Sequence, residues 1–188
     1  MNLQNPKKFK MMVDQAHEVA LNVLRPISRK YDKAEHAYPK ELDMLASLID
    51  GMNEGGEGIN AGAAVGKRGE TESGNKNGNN MSTALGIIEM CYGDTGLLLS
   101  MPRQGLGNSA IAAVANDEQL ERFKGTWAAM AITEPGCGSD SAAIRTTATQ
   151  DGDEYILNGE KIFVTSGDRA DSVVVWATLD KKLGRAAI

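Results

Sequence analysis

Apolar residues recur at three- and four-residue steps near the start of the chain. Phe9, Val13, Ala16, Ala20, Val23, Leu24 and Ile27 fall on one face of a helix predicted over 7–30. Pro26 lacks an N–H and is expected to kink or end that helix near Leu24–Arg25. Pro39 suits the first position of a second helix, with Leu42, Leu45, Leu48 and Ile49 as its apolar face. Helical signals return over Ser82–Tyr92, where Leu85, Ile87, Ile88 and Cys91 are apolar. Asp94 or Thr95 is positioned to cap a further helix carrying Leu97, Leu98, Leu99 and Met101, with Pro102 as its boundary. Another helix is predicted over 105–115. The run Asn116-Asp117-Glu118-Gln119 reads as a capping box for a short helix through Phe123.

Beyond residue 126 the period changes to two. Strands are predicted at Ala128–Thr133, Arg145–Gln150, Glu154–Leu157, Lys161–Thr165 and Ser172–Ala177, and the turn dipeptides Asp151-Gly152 and Asn158-Gly159 separate three of them. These patterns make an α+β chain. Residues 1–126 form an all-α helical domain that includes a Gly-rich loop at 51–80. Residues 127–188 begin an antiparallel, barrel-like β domain. A further strand is expected to start near Leu183–Ala187, so the β domain is read as partial, with an open apolar edge.

The stretch 51–80 holds nine of the 21 glycines and almost no large apolar side chain, so it reads as a surface loop. Its Gly62–Lys67 run lacks the spacing and the Ser/Thr of a P-loop. A net charge of −5 argues against a nucleic-acid partner. No run of 18 apolar residues is present, so no membrane span is expected. The first ten residues have no apolar stretch of the secretory type behind them. Two cysteines, Cys91 and Cys137, make no disulfide framework and fit a reducing cytoplasm. Two histidines, His17 and His36, make no His-rich metal site, and His17 is placed on the solvated side of the first helix.

The densest chemistry lies in Ala131-Ile132-Thr133-Glu134-Pro135-Gly136-Cys137-Gly138-Ser139-Asp140. A strand enters a turn of Pro, two Gly, Ser and Asp, whose backbone N–H groups make a concave anion site without net positive charge. This stretch resembles the signature of the acyl-CoA dehydrogenase family. Asp153–Gly167 resembles the signature's continuation, and Ile88–Gly96 an upstream block in the family's order and near its spacing.

The resemblance implies a helical domain, a middle β domain and a C-terminal helical bundle, of which the last is expected to be missing here together with the catalytic base. It implies FAD as cofactor, with Met130, Ile132, Thr133, Gly138, Ser139, Phe163 and Thr165 around it. Thr133 would meet the pyrimidine edge of the flavin, Ser139 the diphosphate and Thr165 the N5 atom. Phe163 takes a position where the family often has Trp, and Met130 one where an aromatic is common. It further implies an acyl-CoA substrate lined by Leu97, Leu98, Met101 and Ser139, an electron-transfer flavoprotein as partner, and a homodimer or homotetramer. No residue is nominated as the base, and Glu134 belongs to the turn. The expected activity is α,β-dehydrogenation of an acyl-CoA. The alternatives are an acyl-CoA oxidase or flavin monooxygenase on the same fold, and a non-catalytic or truncated subunit.

Each site residue also has a plainer reading. Thr133 and Thr165 suit ordinary strand positions. Asp140 is expected to stabilise its own turn. Trp127 and Trp176 read as core anchors, and Cys91 as packing.

Overall fold

The computed structural model describes residues 7–54, 79–102 and 105–188. The Gly-rich stretch falls largely outside them, at 55–78, as does the Gly62–Lys67 run. Its edges differ from the loop expected there, because 51–54 and 79–80 are helical. The chain divides into two compact units between Gly105 and Leu106, ahead of the change in pattern at 126.

In the first unit, α1 (Lys10–Val19), a π turn (Ala20–Leu24) and α2 (Arg25–Lys33) follow one another without leaving helical backbone angles. The wider π turn comes just ahead of Pro26 in the first turn of α2, a local widening that suits a ring with no N–H to give. The predicted interruption is therefore a change of helix type, and the helix runs on to Lys33. α3 spans Glu41–Glu54 and α4 spans Asn79–Gly93.

Ala16, Leu24, Leu42, Leu45, Met90 and Leu97 form the buried core of this unit. The face of α4 that enters it carries Gly86, Met90 and Gly93, while Ile87 and Ile88 are exposed. A Cβ on Gly93 would lie 2.8 Å from the Ala20 carbonyl oxygen, so the small residues Ala20 and Gly93 set how closely the two helices approach. Leu48 points to a groove rather than the core and is largely exposed. His17 is part-exposed, as its helix face suggested, but it also has partners there. Its Nδ1 lies 2.7 Å from Glu89 Oε2, and its ring stacks on Tyr92 because α1 packs against α4. Asp94 caps α5 (Thr95–Leu99) by accepting from the Leu97 N–H at 2.8 Å, and Ser28 Oγ donates to its other oxygen.

In the second unit, α6 (Gly105–Val114) and α7 (Asp117–Arg122) precede the strands. The Asn116–Gln119 capping box is formed in both directions. β1 (Ala128–Ala131) pairs in parallel with β4 (Ser172–Val175), Ala128 opposite Ser172 and Ala131 opposite Val175. β2 (Thr147–Asp151) and β3 (Glu154–Asn158) form an antiparallel hairpin, with Gly152 at φ +61 in its turn. The described strands make two separate pairs and no closed barrel.

Two strand expectations are corrected. Lys161–Thr165 is not a strand, and the last residues form two short 3-10 turns within Lys181–Ala187, broken at Gly184 (φ +54), instead of another strand. No helix among the described residues is long and apolar enough to cross a membrane.

Candidate functional site

β1 delivers Ile132 and Thr133 to a tight turn at Glu134–Cys137. The turn is closed by reciprocal backbone bonds, Glu134 N–H to the Cys137 oxygen at 2.9 Å and Cys137 N–H to the Glu134 oxygen at 3.2 Å. Pro135 presets the backbone angle that the second position of such a turn requires. Beneath the turn, the Glu134 side chain is only 6% exposed. Its Oε2 accepts from the Arg145 N–H at 2.7 Å. Its Oε1 accepts from the Thr146 N–H at 2.9 Å, the Thr146 hydroxyl at 2.7 Å and the Lys161 ammonium at 2.9 Å.

Burial alone would raise the pKa of this carboxyl. The Thr146 and Lys161 side chains and the two backbone N–H groups outweigh burial and hold it at about 2. Glu134 is thus a structural anion, saturated with donors.

Lys161 gives a second hydrogen bond, to the Ile132 carbonyl at 2.8 Å, and the Ile162 N–H donates to the Thr133 carbonyl at 2.9 Å. These bonds bring the segment that begins at Lys161 alongside the turn. Sequence reasoning took Lys161 as the start of a strand within the block that resembles the signature's continuation, with no role of its own. Its place after Asn158-Gly159, leading an apolar run, gave no signal of a buried ammonium.

The candidate cofactor residues sit as follows. Met130 and Ile132 are half-buried on and just after β1. Thr133 is half-buried, and its Cγ2 is 4.0 Å from where a Gly138 Cβ would stand. Gly138, Ser139 and Thr165 are exposed. Phe163 is 88% exposed at φ +57, and Ser166 also has φ +57. A left-handed bulky residue is strained and persists only where its surroundings fix it. Among the described residues no hydrogen bond engages the N–H groups of Gly136, Gly138 or Ser139, and a Cβ on Gly136 would meet no atom within 4 Å. Asp140 does not brace the turn through its side chain as expected. The Glu134 carboxylate does that work, and Asp140 offers only its backbone oxygen, to the Ala143 N–H. Trp127 is buried beneath the Arg169 guanidinium, whereas Trp176 is half-buried. No group of three or more His, Cys, Asp or Glu among the described residues is arranged to hold a metal ion.

The helical unit carries a separate groove of about 720 Å³. Its walls include Met11, Val19, Leu45, Met90, Leu98 and Met101. Leu97 packs into the core behind it.

The family model described as "Acyl-CoA dehydrogenase, middle domain" matches residues 129–188. The 3-(aryl)acrylate reductase of Clostridium sporogenes (strain ATCC 15579) is 33% identical over 185 residues, which are 92% of this chain and 44% of that protein. The short-chain specific acyl-CoA dehydrogenase of Clostridium acetobutylicum is 29% identical over 196 aligned residues, 100% of this chain and 48% of that one. Among solved structures, butyryl-CoA dehydrogenase from Megasphaera elsdenii superposes with a TM-score of 0.72 at 26% identity, covering 98% of this chain and 47% of the other. The chain therefore spans about half the length of the relatives it matches. With the glycine turn, the segment pinned beside it and these matches in agreement, the chain belongs to the acyl-CoA dehydrogenase family.

Proposed function

We propose that this chain supplies the helical domain and the middle-domain flavin site of a FAD-dependent acyl-CoA dehydrogenase. The observation that carries the reading is the open turn at Gly136–Ser139, with unengaged N–H groups on its surface and a strained, outward-facing Phe163 on the segment pinned next to it. The residues present suit FAD. Backbone N–H groups and the Ser139 hydroxyl are donors for the diphosphate. Thr133 and Thr165 are hydroxyl donors for the polar flavin edge, and Phe163 offers an aromatic face for the ring system. When bound, FAD supplies the two-electron acceptor that takes hydride at N5 from the β-carbon of an acyl-CoA thioester.

The protein's part is to bind, orient and stabilise charge. Donors at the polar flavin edge favour the reduced, negatively charged form. The α-proton goes to a base other than Glu134, whose lone pairs are already occupied by the Arg145, Thr146 and Lys161 donors. Leu98 and Met101 line an apolar groove suited to an acyl tail. The same reading assigns an electron-transfer flavoprotein as the electron acceptor and a homodimer or homotetramer as the assembly.

Purified protein given FAD should turn yellow and retain the cofactor through gel filtration, and a colourless product would refute the reading. Two substitutions separate the roles. Ser139→Ala removes a donor to a charged group and should weaken FAD binding by about 2 kcal/mol, roughly thirtyfold in Kd by fluorescence titration. In a complete enzyme carrying this site and its base, Thr165→Ala should leave Kd within about twofold but slow flavin reduction by acyl-CoA roughly a hundredfold in stopped flow, the scale of losing one preorganised donor. Equal loss of binding and of rate in Thr165→Ala would contradict an N5 role.

A further inference from the structure

The turn and the segment carrying Phe163 and Thr165 are far apart in the chain, yet two bonds from one ammonium lock them together. Lys161 Nζ bridges Glu134 Oε1 at 2.9 Å and the Ile132 carbonyl at 2.8 Å, and its side chain is only 10% exposed. The neighbouring Ile162 N–H completes the junction on the Thr133 carbonyl. Immediately afterwards the backbone enters the left-handed region at Phe163, and again at Ser166 on the other side of Thr165. A bulky residue keeps such a conformation only when the chain on each side of it is held. After Phe163, the Gly167 N–H donates to the Val164 oxygen, and the Arg169 and Ala170 N–H groups donate to the Ser166 oxygen. Before it, the hold is the Lys161 side chain together with the Ile162 N–H.

We infer that Lys161 is a positioning residue for the flavin site: clamped between Glu134 and the Ile132 carbonyl, it seats Phe163 and Thr165 beside the Thr133 turn before the cofactor arrives. This rests on the flavin reading above and adds to it a cause for the site's preorganisation. The ammonium is spent on Glu134 and the Ile132 carbonyl. It acts through Phe163, so its removal should matter only while Phe163 is present to be positioned.

The test is a double-mutant cycle on the protein with Lys161→Met, Phe163→Ala and the pair, together with Lys161→Arg. The Ile162 amide in flavin-free protein gives a readout that needs no cofactor. In Lys161→Met its hydrogen exchange should quicken about tenfold or more, since local opening then lacks its tether. FAD binding should weaken about tenfold in the native background and less than about twofold when Phe163 is already Ala, a coupling expected of contacting or linked residues. Lys161→Arg should restore both Ile162 protection and the visible circular dichroism of the bound flavin. Should Lys161→Met fail to fold, Glu134→Gln/Lys161→Met removes both charges together and takes its place in the cycle.

Unchanged Ile162 protection overturns the inference. So does an equal loss of FAD affinity with and without Phe163, which marks general loosening. Failure of the unsubstituted protein to take up FAD is seen before any variant is made, and it overturns the flavin reading and this inference together.

Discussion

Glu134→Ala should destabilise the strand-bearing unit by about 3–5 kcal/mol, the range found when one partner of a buried ion pair is removed. The deletion leaves the nearly buried Lys161 ammonium without its counter-ion, and the Arg145 and Thr146 N–H groups and the Thr146 hydroxyl without their acceptor. Glu134→Gln keeps the shape but turns one oxygen into a donor facing donors, so it should fall between the two.

The pH dependence has a definite sign. The folded pKa of about 2 lies below the ordinary 4.5. The carboxylate's contribution is therefore complete above about pH 4.5 and is lost as pH falls from there through about 2, because the unfolded chain takes up the proton first. Urea midpoints measured across that window should fall more steeply for the native protein than for Glu134→Gln. Parallel pH profiles would show that the ion pair does not stabilise the fold.

Local chemistry carried the parts of this structure that the sequence revealed. The Asn116–Gln119 cap, the Asp94 cap and the hairpin turn at Gly152 each depend on a few adjacent residues, and each forms as its residues dictate. The apolar face of the first helix was legible for the same reason. Errors came where a distant partner decided the outcome. Ile162 and Val164 alternate like a strand, but the Ile162 N–H and the Lys161 side chain bond to the turn at Ile132–Glu134, and no ladder forms over 161–165. Asn158-Gly159 reads as a hairpin turn. In the structure Gly159 is instead required by crowding, since a Cβ there would sit 2.3 Å from Thr146 Oγ1. The parallel β1–β4 pairing joins residues more than forty apart and leaves no trace in periodicity. The partners of His17 were not foreseen, because helical position says which side of α1 it lies on, not that Glu89 and Tyr92 of α4 meet it there. The same division holds for the site. The glycine turn was visible because glycine spacing is local, whereas the Glu134–Lys161 clamp beneath it was not.

Gly107→Ala should cost about 3 kcal/mol or more, at or above the usual range for overpacking. Gly107 lies in α6 directly against β1, where an added Cβ would stand 2.3 Å from the Ala128 oxygen and 2.4 Å from the Ala129 oxygen. Backbone atoms cannot rotate out of the way as a side-chain tip can. β1 is also held on two sides. It pairs with β4 along its length, and the buried Asn108 side chain accepts from the Ala128 N–H at 2.8 Å and donates to the Thr126 oxygen at 2.7 Å. Moving α6 outward to admit the methyl would break those Asn108 bonds, whose donor and acceptor are then left buried and unpaired.

Gly136→Ala is the matched control. Its added Cβ would meet nothing within 4 Å, and the change in stability should stay within about 0.5 kcal/mol. Because β1 leads straight into Thr133, a displaced strand should also lower FAD uptake by any Gly107→Ala protein that still folds. Chemical denaturation of both variants decides the matter: a Gly107→Ala midpoint equal to that of the native protein would mean that α6 does not lie on β1 at this distance.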